Sequence, residues 1–397
     1  MESSVPLPLF ALFLAAFAFG TTEFVIAGIL PDVANGLGVS IPFAGYLVSG
    51  YALGIAIGGP LLTIASRRIS RRAILVALTV AFCFGQVACA LAPDFATMLV
   101  FRVFTAVAHG AYFGIAMVVA IALVPQEFRG RAVSIILAGL TVSNIIGVPI
   151  GAAIGGLWGW RMTFWAMTLI GVFALVSISV LIPSTKVEPQ QSGYFSREVR
   201  VLGRQQVWTS LIIMLALMIG QMVPFTYITP LLREVTGLDA MLIPWVLLLN
   251  GVGATLGVLI GGRLSDWKLM PSLIVMLAVQ AVVLVVFYMV SPYPLLMTAT
   301  IFVWGALNFA IGTPVQARIL MWTADAPNLA SSLIPSGFNV GIAIAAVIGA
   351  TLLEEGYGYR SLPVLGAAAL ALACAVAMLS AASEKRSGIV PPAVAAT

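Results

Sequence analysis

Long apolar stretches divide most of this chain into candidate membrane spans. A helix that crosses a bilayer needs about 20 mainly apolar residues. The sequence contains twelve such stretches, separated by short breaks rich in polar residues, proline or glycine. They lie at 7–31, 42–65, 73–92, 95–122, 132–157, 162–183, 207–230, 242–262, 272–291, 294–317, 329–353 and 361–382. The pattern predicts an all-α membrane protein with twelve transmembrane helices.

One long polar connection divides these spans six and six. It predicts an N-terminal six-helix bundle at 1–183, a cytoplasmic linker at 184–206 and a C-terminal six-helix bundle at 207–397. Such a division is typical of membrane proteins built from two related halves.

Two short motifs recur across this divide. The pattern G-x-x-x-G-G-x-L at Gly54–Leu61 returns at Gly257–Leu264, displaced by 203 residues. Gly159-Trp160-Arg161 returns as Gly358-Tyr359-Arg360, displaced by 199. Internal repeats in a helical membrane protein favour two pseudo-symmetric bundles that move around a site between them. Coincidence among glycine-rich helices is the alternative.

Composition supports a lipid-facing surface. Apolar residues make up 61% of the 397 residues and charged residues only 8%, against about a quarter charged in soluble domains. These values exclude a soluble domain and a disordered chain. The net charge of +5 raises the possibility of a nucleic-acid partner, but the basic residues lie in short loops, and we predict no nucleic-acid binding.

Lysine and arginine also indicate the orientation, because short cytoplasmic loops are enriched in them. With both termini in the cytoplasm, fifteen of the nineteen basic residues lie inside. Only Arg161, Arg233 and Arg360 lie outside, and Arg102 lies within a span. The inner residues are Arg67, Arg68, Arg71, Arg72, Arg129, Arg131, Lys186, Arg197, Arg200, Arg204, Arg263, Lys268, Arg318, Lys385 and Arg386. We therefore predict a multi-pass membrane protein with both termini cytoplasmic.

The chain lacks the motifs of an ATP-driven pump or of an enzyme. No lysine follows a glycine as in G-x-x-x-x-G-K-[ST]. The single histidine and three cysteines form no pattern typical of metal or nucleophilic chemistry. We predict no enzyme activity, no metal and no cofactor, so any transport by this chain alone uses an ion gradient.

Three ionisable side chains lie inside the predicted spans, where an unpaired charge is costly unless it faces a cavity or a partner. Glu23 in the first span and Arg102 in the fourth lie at a similar depth, roughly 10 Å below the outer surface. His109 lies seven residues after Arg102, on nearly the same helical face and about 10 Å deeper, with Thr105 and Tyr112 near that face. Equal depth favours Glu23 and Arg102 as partners or as neighbours in one cavity.

Each of the three residues has two interpretations. Glu23 can carry a coupled proton, or it can form a permanent ion pair with Arg102 that braces two helices. Arg102 can act through that pair or through its field in a cavity. His109 can titrate, or it can be a neutral, hydrogen-bonded core histidine.

Other polar and small residues suggest where a solute binds and how the helices move. Gly147, Pro149 and Gly151 place a bend and a closely packed side on the fifth span, as expected of a helix between two moving halves. The alternative is ordinary helix packing. The candidate cavity residues are Tyr112, Asn144, Gln221, Thr226, Tyr227, Asn250, Asn308 and Asn339, with Gln280 and Gln316 as further polar positions. Several of these can instead be hydrogen-bonding contacts between helices.

Together, several motifs resemble those of the major facilitator superfamily, in particular its twelve-span drug:proton antiporters, which include chloramphenicol-resistance and sugar-efflux proteins. GTTEFVIAGILPDVA at Gly20–Ala34 is similar to the first-span signature, with Glu23 at its acidic position. RVFTAVAHG at Arg102–Gly110 resembles the fourth-span motif, whose arginine is associated with proton coupling. GVPIGAAIGG at Gly147–Gly156 and GWRMTFW at Gly159–Trp165 resemble the fifth-span antiporter motif and the connection to the sixth span.

The chain departs from the family at one cytoplasmic signature, G-x-x-x-D-R-x-G-R-[KR]. GPLLTIASRR keeps Gly59 and the basic pair Arg67 and Arg68 but has Thr63 in place of the aspartate. The repeat GGRLSD in the second half keeps Gly262 and the acid, as Asp266. A charge latch at the cytoplasmic gate is therefore in doubt in the first half and possible around Asp266 in the second.

The resemblance implies a secondary transporter of a bacterial-type inner membrane that exports small amphipathic molecules in exchange for protons by alternating access. Its expected partners are a small-molecule substrate, protons and the lipid bilayer, and we expect a monomer. Two alternatives stay open, a proton-linked importer and a membrane sensor or scaffold that transports nothing. The sequence does not identify the substrate.

Overall fold

The computed structural model describes residues 7–183 and 199–387, which fall into two compact units. The first unit holds the described residues of 1–190 together with 240–248, and the second holds those of 191–239 and 249–397. The predicted linker lies in large part at 184–198, outside the described residues.

All the regular elements of the described residues are helical. Those of the N-terminal half are α1 (Leu7–Gly36), α2 (Ile41–Ala44), α3 (Tyr46–Leu53), a π-helical turn (Gly54–Gly58), α4 (Gly59–Ala65), a 3₁₀ turn (Ser66–Arg68), α5 (Arg71–Leu91), α6 (Phe95–Ala122), a 3₁₀ turn (Gln126–Phe128), α7 (Arg129–Val142), a second π-helical turn (Ser143–Gly147), α8 (Val148–Trp158) and α9 (Trp160–Leu181). Those of the C-terminal half are a 3₁₀ turn (Val199–Gly203), α10 (Gln205–Thr226), α11 (Ile228–Glu234), α12 (Ile243–Val290), α13 (Pro294–Trp322), α14 (Pro327–Glu354) and α15 (Ser361–Ser387).

Eleven helical stretches of the described residues are long and apolar enough to cross a membrane. One of them, α12, is 48 residues long and contains a non-helical residue, Lys268, with φ −153° and ψ 90°. This break separates the predicted eighth and ninth spans, so the stretches correspond to the twelve predicted spans. The all-α membrane fold is confirmed.

Three predicted span ends were wrong, because the helices continue into more polar sequence. α1 passes through Pro31 and ends at Gly36. α13 and α15 run to Trp322 and Ser387, beyond the predicted ends at 317 and 382. Hydropathy falls where charged residues begin, but a helix continues when neighbouring helices pair those charges. As a result, Arg318 and Glu384 are parts of helices rather than of loops.

The glycine motif that recurs in the sequence makes the same kind of contact in both halves. A Cβ added at Gly54 would lie 3.0 Å from the backbone carbonyl oxygen of Val103, where the π-helical turn at Gly54–Gly58 crosses α6. A Cβ added at Gly257 would collide with the backbone carbonyl of Ala306, where α12 crosses α13. Glycine allows two backbones to approach this closely, so the repeated motif marks an equivalent helix crossing in each half.

The repeated arginine also has equivalent contacts. Arg161 donates from Nη2 to the carbonyl oxygen of Ala92 at 3.0 Å, just after α5. Arg360 donates from Nη2 to that of Tyr288 at 3.2 Å, near the end of α12. Each guanidinium also lies over an aromatic ring, that of Trp160 or that of Tyr288. Arg161 therefore connects the start of α9 to the end of α5, and Arg360 connects the chain just before α15 to the end of α12. In each half, these are the last and the third membrane spans.

We expect alanine to have opposite effects at two glycines of α12 that are five residues apart. Gly257→Ala should lower the free energy of unfolding by about 1–3 kcal/mol, because its Cβ meets backbone that cannot turn aside. Gly262→Ala should be neutral or stabilising, since nothing lies within 4 Å of a Cβ there and alanine favours a helix. Thermal unfolding in one detergent measures both, and equal shifts would contradict the close crossing.

The chain around the start of α10 packs within the second unit. Val201 and Val207 belong to one buried cluster with Trp322, Ala326 and Leu329. Arg204 donates from Nη1 and Nη2 to the two carboxylate oxygens of Asp325, at 2.6 and 2.7 Å. These hydrogen bonds from Arg204 hold the pKa of Asp325 below its usual range. The ion pair is therefore intact at neutral pH and fixes where α10 begins.

Candidate functional site

Glu23 lies in α1 next to the single histidine of the chain. Its side chain is 11% exposed, and Oε2 lies 3.8 Å from Nε2 of His109 in α6. This distance is within the range of an ion pair when the histidine is protonated but is longer than a hydrogen bond. Glu23 therefore has a neighbour that can itself change charge.

His109 is enclosed by aromatic rings and hydrogen-bonded on its other nitrogen. Nδ1 lies 2.9 Å from the hydroxyl of Tyr51 in α3. The rings of Phe19, Tyr51 and Phe113 surround the imidazole, with centroids 5.2 to 5.8 Å away. This packing fixes the ring, so that one nitrogen faces Tyr51 and the other faces Glu23.

Arg102 reaches the same group of residues from one side. Nη1 donates to the backbone carbonyl of Thr22 at 2.9 Å, and the guanidinium lies over the ring of Tyr51, 4.3 Å from its centroid. Among the described residues, Arg102 forms no ion pair with Glu23 within 4.0 Å. Glu23 and Arg102 are therefore neighbours through His109 and Tyr51. Below, Glu23, Tyr51, Arg102 and His109 are called the polar chain.

Tyr51 was not predicted from the sequence. A tyrosine inside a span needs a partner for its hydroxyl, and that signal was available. The π-helical turn that follows it at Gly54–Gly58 is the kind of irregularity that is frequent at functional sites. Neither feature shows which partner the hydroxyl binds, because that depends on how α3 and α6 pack.

The other N-terminal candidates pack mainly against α1. The hydroxyl of Tyr112 donates to the carbonyl of Leu12 at 2.7 Å, and the residue is fully buried. Gly147 and Gly151 face Thr21 and Val25 of α1. The buried Pro149 lies in the first turn of α8, directly after the second π-helical turn. The fifth-span motif thus holds α8 close to the helix that carries Glu23.

Most of the remaining cavity candidates donate hydrogen bonds to backbone carbonyls in their own half of the protein. Asn144, Thr226 and Asn339 donate to carbonyls one turn earlier in their own helices. Tyr227 and Asn250 donate to the carbonyls of Ala346 and Ile301 on neighbouring helices. Unused hydrogen-bonding capacity remains at Gln221 Nε2, Asn339 Oδ1 and Gln280 Oε1. Asn308 is buried and makes no side-chain hydrogen bond to a described residue, and Gln316 is exposed.

The described side chains of the two cytoplasmic signatures, those of Thr63, Arg68 and Asp266, make few polar contacts. The Thr63 hydroxyl donates to the carbonyl of Gly59 within α4, at 2.9 Å. Arg67 and Arg68 end the 3₁₀ turn at Ser66–Arg68, and Arg68 is exposed. Asp266 is exposed too, and no side-chain hydrogen bond or ion pair joins it to the described part of the chain.

A second buried arginine lies in the C-terminal half, where the sequence indicated only a loop. The Arg318 side chain is 0% exposed and pairs with Glu384 of α15, with Nη2 and Oε1 2.5 Å apart. Nε donates to Ser210 at 2.9 Å, Nη2 to Ser380 at 2.7 Å, and Nη1 contacts the sulfur of Met270. All three nitrogens of Arg318 are engaged, whereas Nε and Nη2 of Arg102 have no acceptor among the described residues.

Within residues 7–183 and 199–387, no group of three or more His, Cys, Asp or Glu side chains could hold a metal ion. The three cysteines are free thiols. The described site therefore holds two titratable side chains, Glu23 and His109, 3.8 Å apart inside a bundle of apolar helices.

Comparison with known proteins shows the family of this chain. The model described as Major Facilitator Superfamily matches residues 12–324. The inner membrane transport protein YdhP of Escherichia coli (strain K12) is 36% identical over 377 residues, which cover 95% of this chain and 96% of that protein. The chain belongs to the Major Facilitator Superfamily and is a multi-pass membrane transporter, in a family whose members are generally not enzymes. The family assignment made from the motifs is confirmed.

Two further similarities agree with this assignment. A chloramphenicol resistance protein of Streptomyces lividans is 34% identical over 364 residues, covering 89% of this chain and 91% of that protein. The crystal structure of a bacterial homologue of the human lysosomal transporter Spinster, inward-facing and unoccupied, superposes with a TM-score of 0.74 at 16% identity. That match covers 97% of this chain and 99% of the other, and it shows the shared fold.

Proposed function

We propose that this transporter exports small amphipathic molecules in exchange for protons, with Glu23 as the proton carrier. The observation that carries the proposal is the position of Glu23, 3.8 Å from His109 and not paired with Arg102. A carboxylate locked to an arginine stays ionised, whereas one beside a histidine can exchange a proton with it or with the solute pathway. Ionisable residues inside membrane spans are typical of proton relays.

The polar chain gives each residue a role in this proposal. Glu23 binds and releases the proton during alternating access. His109 is the nearest group that can accept it, and its Nδ1 is held by Tyr51 at 2.9 Å. The guanidinium of Arg102 lies over the ring of Tyr51. Its positive charge sets the electrostatic potential around Glu23.

Two relatives support the direction and the location. One is named a chloramphenicol resistance protein and another an inner membrane transport protein. We infer export of a small drug-like or sugar-like metabolite from a bacterial-type inner membrane. The excess of basic residues in one set of loops supports cytoplasmic termini. We further propose a monomer that uses the proton gradient and needs no cofactor.

The test is proton movement in liposomes that contain the purified protein and a pH-sensitive dye. Chloramphenicol, a pentose, a purine nucleoside and a lipophilic cation are added outside in turn. In antiport, the solute that enters exchanges for protons that leave, so the pH of the lumen should rise with at least one compound. Proton-linked import would lower it, because protons enter with the solute. A fall, or no response to any compound, would contradict the proposal.

A further inference from the structure

Arg102 presents one edge of its guanidinium without an acceptor. The residue is 1% exposed, Nη1 is bound to the carbonyl of Thr22, and one face covers the ring of Tyr51. Nε and Nη2 have no hydrogen-bond partner among the described residues, and neither has the hydroxyl of Thr22. A buried donor without an acceptor is destabilising, and more so when it is charged. Such donors inside a transporter are therefore candidates for a role in binding.

These two nitrogens form the edge of the guanidinium that binds planar pairs of oxygen atoms. The N–H groups of Nε and Nη2 point the same way, as required for two parallel hydrogen bonds to a carboxylate or a similarly shaped group. A buried structural arginine in the same chain differs in this respect, because Arg318 has a partner at Nε, Nη1 and Nη2. The open edge is thus a property of Arg102 and not of buried arginines in this protein generally.

The charged groups around Nε and Nη2 of Arg102 do not favour the binding of a cation. The ionisable groups close to Arg102 are Glu23 in α1, Tyr51 in α3, Cys89 in α5 and His109 in α6. With Tyr51 and Cys89 neutral, an ionised Glu23 balances Arg102 and a protonated Glu23 leaves one positive charge. A positive His109 would add to it. The polar chain is therefore neutral or positive in each of these states, whereas a lone buried acid would attract cations.

We propose that Nε and Nη2 of Arg102 bind an oxygen acceptor of the transported molecule. The substrate is then a neutral or anionic molecule that carries a nitro, carboxylate or comparable pair of oxygens, and lipophilic cations are rejected. This inference rests on the proposed function, because it makes the polar chain part of the transport site.

Equilibrium binding to the purified full-length protein tests this selectivity. The probes are chloramphenicol, which is neutral and carries a nitro group, 4-nitrobenzoate, which is anionic, and tetraphenylphosphonium, a lipophilic cation. The parent protein should bind at least one of the first two and not the cation. Arg102→Lys keeps the charge but loses the paired donors, so acceptor binding should weaken by about 10- to 100-fold and the cation should still be rejected.

Arg102→Met gives the sharper result, because it leaves Glu23 as the charged group. Acceptor binding should be lost and binding of tetraphenylphosphonium gained, a gain that misfolding would not produce. The matched control is Arg131→Met, at an exposed position of α7, which should keep the parent's selectivity. Melting temperatures and elution volumes confirm that each variant is folded.

The outcomes separate this inference from the proposed function. Cation binding by the parent, failure of both acceptor probes to bind, or unchanged acceptor binding in Arg102→Met would each overturn the inference. If a lipophilic cation drives proton exchange, antiport stands and the inference fails. If the binding pattern is as expected but no compound moves protons, the inference stands and proton antiport fails.

Discussion

Replacing Glu23 by glutamine is expected to abolish proton movement during transport while the protein stays folded. Glutamine has nearly the same size and can occupy the position 3.8 Å from His109, but it cannot carry a proton. Exchange of labelled for unlabelled solute should persist, since it needs no net proton transfer. The measurement is the dye response in liposomes, with the solute that gives the largest signal in the parent protein, alongside solute exchange in the same preparation.

The matched control for this variant is Glu127→Gln. Glu127 is exposed in the 3₁₀ turn between α6 and α7, so its replacement should leave the proton response unchanged. A Glu23→Gln protein that still moves protons with solute would show that another group carries them. His109 is the next candidate, and His109→Gln in the same assay would identify it.

Replacing Glu384 by alanine is expected to cause the largest loss of stability. Glu384 is 17% exposed and is the acid that pairs with the fully buried Arg318. Its removal leaves a buried positive charge without a counter-charge, and breaking such a pair costs about 3 kcal/mol. Thermal unfolding in detergent should show a clear fall in melting temperature.

Two further variants separate the unpaired charge from a general effect on α15. Lys385→Ala changes the next residue, which is exposed, and should alter stability little. The double variant Arg318→Met with Glu384→Met removes both charges and should recover much of the loss, because a buried ion pair can be replaced by apolar side chains at little cost. A double variant as unstable as Glu384→Ala would show that the hydrogen bonds of Arg318 to Ser210 and Ser380 matter more than the charge balance.

The bilayer makes the number and type of the helices readable from the sequence. Each span must be long, apolar and internally hydrogen-bonded, so hydropathy located every membrane-crossing stretch. The glycine and arginine repeats were also informative. A glycine needed for close approach, or an arginine that binds the end of a helix, marks the same contact in each half, as Gly54 and Gly257 show.

Within the candidate site, the sequence placed Glu23 and Arg102 at one depth and His109 on the same helical face about 10 Å deeper. The structure instead has Glu23 beside His109, with no ion pair to Arg102 among the described residues. The sequence did not show that Tyr51 lies between Arg102 and His109, because depth along a helix says nothing about its rotation towards a neighbour. The hydrogen-bond partners of Tyr112 and Asn250 could not be predicted from the sequence either, because both side chains donate to backbone carbonyls of other helices.

The sequence by itself determined the twelve spans, the internal repeat, the family and the set of buried ionisable residues in the first half. Only the tertiary structure decided which of those residues touch. It left Nε and Nη2 of Arg102 open and made Arg318 and Glu384 a buried pair in helices that continue past their apolar stretches. The physical reason is that membrane insertion depends on the hydropathy of each segment alone, whereas the partner of a polar side chain depends on how several helices pack around it.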